Sequence, residues 1–320
     1  MMLPTDAFLQ THGDGIHVVD TGFHRPHFDA AYLIVEDGRA AFVDTGTNHA
    51  LPRLLAALEA LRLGRDQVDW VIPTHVHLDH AGGAGLLMRE LPRARMAVHP
   101  RGERHMVNPA RLMASARAVY GDKEVARSYG EVVGVAPERV VATHDGMTLN
   151  LAGRALRFLD TPGHARHHHC IWDERSGGFF TGDTFGLSYR EFDTEQGAFM
   201  LPTSTPVQFE PDALRHSVLR MLAMQPRWMY LTHYGPVDDV QRLGKQLLDH
   251  LDAMVALGQS VAAAADRHRA LTDGLSRIYL ERLRRHGCTM DDSGVLELLA
   301  MDIELNAQGI AIWLDRLVKR

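Results

Sequence analysis

The feature that most constrains this chain is a run of metal-capable side chains that directly follows a predicted strand. The strand is the apolar segment VDWVIPTH at residues 68–75, and the run THVHLDH covers residues 74–80. Its four candidate ligands are His75, His77, Asp79 and His80. A spacing of two places side chains on nearly opposite sides of a helix, whereas a loop between a strand and a helix lets them converge. We therefore expect the first two to bind one metal ion and the last two to reach a second.

Three further ionisable residues occupy the same kind of position, each just after an apolar strand. They are His164 in TPGH, Asp183 in TGDT and His233 in LTHYG. Catalytic groups concentrate at strand ends and loops that a rigid scaffold holds in place. The whole set comprises five histidines and two aspartates, and a carboxylate such as Asp183 can bridge two ions. Imidazole and carboxylate without thiolate suit zinc, iron or manganese, so the metal identity stays open.

Composition excludes several other classes of protein. Histidine accounts for 20 of the 320 residues, and the net charge of −6 disfavours a general nucleic-acid binder. Two cysteines, Cys170 and Cys288, are too few for a disulfide scaffold or a cysteine-rich zinc module. The N-terminal segment lacks the basic and apolar regions of a secretory signal, and no apolar run of about 18 residues occurs. We therefore expect a cytoplasmic protein that has neither a nucleic acid nor a membrane as its partner.

The hydrophobic pattern predicts an α/β protein that ends in a helical region. Strand and helix patterns alternate through the first half, residues 101–131 have a helical composition, and short strand patterns return at 139–185. Five helical patterns follow, at 237–257, 259–271, 274–287, 292–303 and 305–319. We predict a catalytic domain at residues 1–237 and a helical region at 238–320 that packs on it.

On these motifs the sequence resembles the metallo-β-lactamase-fold hydrolase superfamily, and within it the glyoxalase II-like and lactonase-like binuclear branch. The resemblance covers residues from about 16 to 237. It implies an α/β (α+β) fold: a four-layer αββα sandwich with the metals at one edge of the paired sheets, here with an added C-terminal helical region. True β-lactamases of the superfamily have a cysteine where this chain has Asp183, which disfavours antibiotic hydrolysis.

The resemblance also implies roles for individual residues. His75, His77 and His164 match the ligands of one metal, while Asp79, His80 and His233 match those of the second, and Asp183 matches the carboxylate between them. Asp44 matches a residue that supports the ligand loop, and His168 a histidine that supports the ligands from behind. The implied cofactors are two divalent metal ions, with zinc first and iron or manganese as alternatives.

The implied activity is hydrolysis of a thioester, lactone or activated ester by a hydroxide that bridges the two metals, with Asp79 accepting or relaying a proton. Three alternatives stay open: a phosphodiesterase of the same fold, an iron enzyme like the persulfide dioxygenases with one metal, and a regulatory protein that acts through its helical tail. A small molecule is the expected substrate, and a homodimer is possible. Phe185, Tyr189 and Tyr234 flank the ligand positions and are candidates for substrate contact, although core packing explains them equally well.

Overall fold

The computed structural model describes residues 5–318, which form two compact units. The first unit comprises residues 5–160, 167–182 and 227–236, and the second comprises 161–166, 183–226 and 237–318. Both β-sheets lie in the first unit, apart from the last residue of the final strand, and the C-terminal helices lie in the second. The predicted α/β class with a C-terminal helical region is therefore confirmed, whereas the predicted domain boundary at residue 237 stays a prediction.

The first sheet has seven strands in sequence order. They are β1 (Leu9–Gly13), β2 (Ile16–Asp20), β3 (Ala30–Glu36), β4 (Arg39–Val43), β5 (Val68–Ile72), β6 (Arg95–Val98) and β7 (Val140–Ala142). The first four strands pair antiparallel, and β4 to β7 pair parallel. Six helices also belong to this unit: α1 (Leu51–Ala60), α2 (Leu78–Ala81), α3 (Ala84–Glu90), α4 (Pro100–Val107), α5 (Ala110–Tyr120) and α6 (Asp122–Tyr129). The predicted helical segment 101–131 thus consists of three short helices.

The second sheet has six strands, in the order β13-β12-β11-β10-β9-β8. They are β8 (Thr148–Leu151), β9 (Arg154–Asp160), β10 (His169–Asp173), β11 (Gly178–Gly182), β12 (Trp228–Leu231) and β13 (Gly235–Val237). Strands β8 to β11 pair antiparallel, and β12 lies parallel to β11. Strands β9, β11 and β12 each end within four residues of one of the predicted ligands outside the first motif, and β11 ends directly before Asp183.

Alternation along β3 shows how the core is divided. Tyr32 and Ile34 belong to a buried cluster that includes Phe158 and Phe180 of the second sheet. Leu33, between them, faces the other side and packs in a cluster with Leu54 of α1 and other helix residues. Because successive strand residues point to opposite faces, the first sheet is buried on both sides, between the second sheet and helices.

The second unit contains α7 (Pro211–Leu222), α8 (Val240–Ser260), α9 (Arg267–Arg285), α10 (Asp292–Leu298) and α11 (Ala300–Val318). The prediction of five helices beyond residue 237 is wrong, because there are four in the described part and α9 runs through the predicted break at 272–273. A Cβ at Gly274 would lie 2.4 Å from Leu257 Cδ1, so this glycine permits close packing of α8 and α9 instead of ending a helix. Between residues 5 and 318 we find no helix with the length and hydropathy needed to cross a membrane.

A buried ion pair in the first unit gives a test of this packing. The Arg154 guanidinium donates to both oxygens of Asp173, with Nε 2.9 Å from Oδ1, and to the Asp14 carbonyl. Both side chains of the pair are fully buried. We expect Arg154→Ala to lower the free energy of unfolding by about 3–5 kcal/mol, because the Asp173 carboxylate would remain buried without its cation. Urea unfolding followed by tryptophan fluorescence measures this loss.

The matched control is Arg175→Ala, which removes an exposed partner of Glu36 from the same unit. Exposed ion pairs contribute little, so its unfolding midpoint should stay close to that of the wild type. Equal losses of unfolding free energy in Arg154→Ala and Arg175→Ala would contradict a special contribution of the buried Arg154–Asp173 pair to stability.

Candidate metal centre

The ligand motif lies where β5 ends and the short helix α2 begins. His77 has an extended backbone conformation and precedes the first residue of α2, while Asp79 and His80 lie within the helix. His75 Nε2 and His77 Nδ1 are 2.8 Å apart, and His75 and His80 are fully buried. The expected convergence of residues spaced by two is therefore observed, because the chain turns between His75 and His77 before the helix starts.

Three of the candidate ligands form a cluster within the first unit. The side chains of Asp79, His80 and His233 each offer one ligand atom, and these atoms lie within 4.8 Å of one another. Asp79 Oδ2 lies 3.5 Å from His233 Nε2 and 3.7 Å from His80 Nε2. His233 lies two residues after the last residue of β12, so the edge of the second sheet brings it to the loop that follows β5.

Hydrogen bonds at the far side of each imidazole ring determine which nitrogen carries the proton. His80 Nδ1 lies 2.8 Å from Asp44 Oδ2, and His233 Nδ1 lies 2.9 Å from the Phe28 carbonyl oxygen. Each of these oxygens accepts a hydrogen bond, so each Nδ1 is the protonated nitrogen and Nε2 carries the lone pair. Metal-binding histidines have this arrangement, in which an outer acceptor fixes the tautomer and the ring orientation. The His/Asp cluster is therefore able to bind a metal ion.

Asp44 joins the ligand loop to the ends of three strands. Its Oδ1 accepts a hydrogen bond from the Thr74 backbone N–H at 2.7 Å, and its Oδ2 accepts one from the Thr232 hydroxyl at 2.8 Å. The Thr74 hydroxyl also contacts both carboxylate oxygens at 3.0 Å. Together with the contact to His80, these bonds place Asp44 where the predicted supporting role requires it, although that role stays a prediction.

The other two predicted ligands lie in the second unit. His164 Nε2 is 3.2 Å from Asp183 Oδ2, and both side chains are buried. His164 Nδ1 lies 3.2 Å from the Thr203 carbonyl oxygen, which again leaves Nε2 as the nitrogen that carries the lone pair. This pair therefore repeats the chemistry of the first cluster: an oriented imidazole beside a carboxylate.

The three histidines at 167–169 have different surroundings. The His168 ring stacks on His75 with centroids 4.7 Å apart, and a Cβ at Gly182 would come within 2.6 Å of His168 Nε2. His169 is hydrogen-bonded at both nitrogens, to the Pro73 carbonyl and the Thr143 hydroxyl, each at 2.9 Å. Burial lowers the pKa of His169 to about 3, so it is neutral and structural. His168 packs against the candidate ligand His75, and its supporting role stays a prediction.

The predicted substrate-contacting aromatics are packed side chains in this structure. Phe185 and Tyr189 are essentially unexposed, and the Tyr189 hydroxyl donates to the Asp302 carboxylate at 3.2 Å. The Tyr234 ring lies 4.9 Å from the ring of His27. Burial favours packing for Phe185 and Tyr189, and contact of any of the three with substrate stays a prediction.

Sequence reasoning missed the backbone carbonyl of Phe28, which the segment 21–29 between β2 and β3 contributes to the site. The Phe28 carbonyl orients His233, and the two rings lie 5.3 Å apart. The Phe23 ring lies 5.8 Å from Phe28 and 5.6 Å from Tyr129 of α6. An aromatic chain thus connects the metal cluster to the helical segment 101–131. Every residue has a backbone carbonyl, so the sequence does not indicate which carbonyl belongs to the site. Only the aromatic side chains of Phe23, Phe28 and Tyr129 are distinctive in the sequence.

Comparison with known proteins identifies the family. A family model described as "Metallo-beta-lactamase superfamily" matches residues 24–233, which include every predicted ligand. The chain belongs to the metallo-beta-lactamase superfamily. Members of this superfamily are mostly metal-dependent hydrolases, and the predicted fold and the resemblance are thereby confirmed.

Several superfamily relatives cover most of the chain. It is 24% identical to the metallo-beta-lactamase fold-containing protein ST1585 of Sulfurisphaera tokodaii, over 76% of this chain and 85% of that protein. The structure of that relative matches with a TM-score of 0.61 at 22% identity, over 76% of this chain and 87% of that one. The chain is also 28% identical to a hydroxyacylglutathione hydrolase of Acidiphilium cryptum, over 75% and 76% of the two proteins. It is 24% identical to the lactamase-like protein adaB of Aspergillus niger, over 75% of this chain and 59% of adaB.

The contacts of Asp44 make a testable prediction about metal binding. We expect Asp44→Asn to weaken metal binding by about 10–100-fold. An asparagine amide has one oxygen that accepts hydrogen bonds, whereas both carboxylate oxygens of Asp44 accept them from His80, Thr74 and Thr232. Metal retained per chain after dialysis against a chelator measures the effect. Asp69→Asn is the control, because Asp69 pairs with Arg39 at the other end of β5. Unchanged metal retention in Asp44→Asn would contradict a supporting role for Asp44.

Proposed function

We propose that this protein is a hydrolase that cleaves a thioester, a lactone or another activated ester with the help of two divalent metal ions, zinc being the first candidate. The observation that carries the proposal is the cluster of Asp79, His80 and His233, in which both imidazoles are oriented with Nε2 toward the carboxylate. The similarity to a hydroxyacylglutathione hydrolase supports a thioester as the substrate class.

The proposed ligand sets follow the superfamily pattern. His75, His77 and His164 would hold one ion, and the cluster of Asp79, His80 and His233 would hold the second. Asp183 would be the ligand that the two ions share. The convergence of His75 with His77, and of His164 with Asp183, supports these assignments. Two cations at such a site lower the pKa of a shared water and polarise the carbonyl group under attack.

The protein's own groups complete the chemistry. The Asp79 side chain is 25% exposed while His80 is fully buried, so Asp79 is the member of the cluster that solvent and substrate reach. We propose that Asp79 accepts the proton of the attacking water and passes it to the leaving group. A metal ion on their Nε2 atoms would leave His80 and His233 with one proton each, on Nδ1, where Asp44 and the Phe28 carbonyl accept it. The proposed partner is a small-molecule substrate, and dimerisation is not needed for this chemistry.

This function is tested by metal content together with a substrate screen. We expect two metal equivalents per chain in the purified wild-type protein, and turnover of a thioester, a lactone or an activated aryl ester. Asp79→Asn should lower kcat by about 10²–10⁴, since it removes a proton acceptor and preserves the side-chain shape. Asp183→Ala should abolish measurable turnover and reduce the metal content, because it removes the shared carboxylate.

The control is Asp69→Asn, whose carboxylate pairs with Arg39 away from the cluster and should leave turnover unchanged. Phosphodiesters and oxygen uptake with an organic persulfide form the other arms of the screen. Activity on phosphodiesters alone, or one iron per chain with oxygen uptake, would replace the proposed ester hydrolysis with one of those reactions.

A further inference from the structure

A buried carboxylate close to the metal cluster has no place in the ligand set. Asp29 lies at the end of the loop between β2 and β3, directly before the first residue of β3, and it is fully buried. Its Oδ2 accepts a hydrogen bond from the Thr21 hydroxyl at 2.9 Å, and its backbone carbonyl accepts one from the Thr21 N–H at 2.9 Å. These bonds close the loop that carries the Phe28 carbonyl to His233.

The second carboxylate oxygen of Asp29, Oδ1, differs from Oδ2 in its hydrogen bonding. Within residues 5–318, no hydrogen-bond donor lies within reach of Asp29 Oδ1. Buried carboxylate oxygens are costly in free energy unless a donor or a cation compensates them. The Thr21 hydroxyl donates one hydrogen bond to this carboxylate, whereas the two oxygens of an ionised carboxylate can accept several. An uncompensated oxygen of this kind calls for a positive charge nearby.

The ionisable groups that interact electrostatically with Asp29 indicate where a compensating positive charge would lie. Burial raises the pKa of Asp29 to about 7, while His233 and His80 act to lower it and Asp79 acts to raise it. These three residues are the complete Asp79–His80–His233 cluster. Asp29 itself is not among the residues whose ligand atoms lie within 4.8 Å of one another. It therefore interacts with the cluster electrostatically without being part of it.

We propose that Asp29 is a charge-compensating carboxylate for the metal ion held by Asp79, His80 and His233: it fixes the β2–β3 loop through one oxygen and stabilises the cation electrostatically without ligating it. The inference rests on the metal centre proposed above. Asp79 is the single carboxylate in that ligand triad, and Asp183 would be shared with the other ion, so a dication there keeps excess positive charge in a buried setting. The carboxylate of Asp29 offsets that charge, and the cation in turn removes the cost of burying Asp29.

The test compares metal binding in the wild type, Asp29→Asn and Asp20→Asn. Asp29→Asn removes the charge and preserves the shape. Asp20 is a control from the same loop, because its buried carboxylate accepts hydrogen bonds from Gly22 N–H at 2.7 Å and His27 N–H at 2.9 Å. Zn²⁺ affinity of the metal-free proteins is measured by competition with a chromophoric chelator. His233→Ala, titrated in parallel, identifies which of the two binding steps belongs to the Asp79–His80–His233 cluster.

We expect Asp29→Asn to weaken that step about 10–100-fold, the range typical of residues just outside a metal's ligands, and to leave the other step unchanged. The thermal midpoint of the metal-free Asp29→Asn protein should equal or exceed that of the wild type, because a buried charge without full compensation has been removed. Asp20→Asn should lower the midpoint and keep both affinities within about threefold of the wild type, because its carboxylate binds the loop backbone and the Arg53 guanidinium.

Two outcomes would overturn the inference about Asp29. One is wild-type affinity at both steps in Asp29→Asn. The other is a lowered midpoint together with equal weakening of both steps, which would make Asp29 a residue of loop folding. Failure of the metal centre itself is separately visible, because the wild-type protein would then bind fewer than two Zn²⁺ ions.

Discussion

The site depends above all on the buried carboxylate of Asp44. Its two oxygens accept hydrogen bonds from the Thr74 backbone, the Thr232 hydroxyl and His80 Nδ1, so one side chain ties the ends of β4, β5 and β12 to α2. Asp44 adopts this position with a φ of 56°, in the left-handed region that side-chain-bearing residues rarely occupy. Strain of this kind persists where surrounding contacts over-determine the conformation, and the bonds of Asp44 supply those contacts.

The arrangement of the two sheets follows from the same constraint. β4 and β5 belong to the first sheet and β12 to the second, so a single acceptor at their ends fixes the relative positions of both sheets at that edge. The Tyr32 hydroxyl adds a bond to the Leu231 carbonyl one residue before Thr232, and the Ala30 N–H donates to the Thr232 carbonyl at 2.8 Å. The apolar cluster between the sheets supplies stability, whereas these polar bonds determine which residues meet at the edge.

The candidate ligands could be singled out from the sequence because they are chemically distinctive and follow apolar strands at short range. His233 and Asp183 needed only the rule that polar residues at strand ends meet at a sheet edge. The groups that orient the candidate ligands were less predictable, since the carbonyls of Phe28 and Thr203 have the same chemistry as any other backbone carbonyl of the chain. The helix break predicted at 272–273 was wrong for a related reason: a glycine such as Gly274 inside a helical pattern is compatible with a break or with close packing, and only the contact with Leu257 distinguishes the two.

The abundance of histidine did not by itself separate candidate ligands from structural residues, because both kinds include buried side chains. His169 has a protein acceptor or donor at each nitrogen, so its ring is fully used in holding the segment before the ligand loop. His80 and His233 use Nδ1 in the same way, yet their Nε2 atoms converge on the Asp79 carboxylate. A ligand histidine is therefore recognised by a second nitrogen directed at another ligand. That criterion is a property of three-dimensional arrangement, and it explains why spacing and strand-end position were informative when the count of 20 histidines was not.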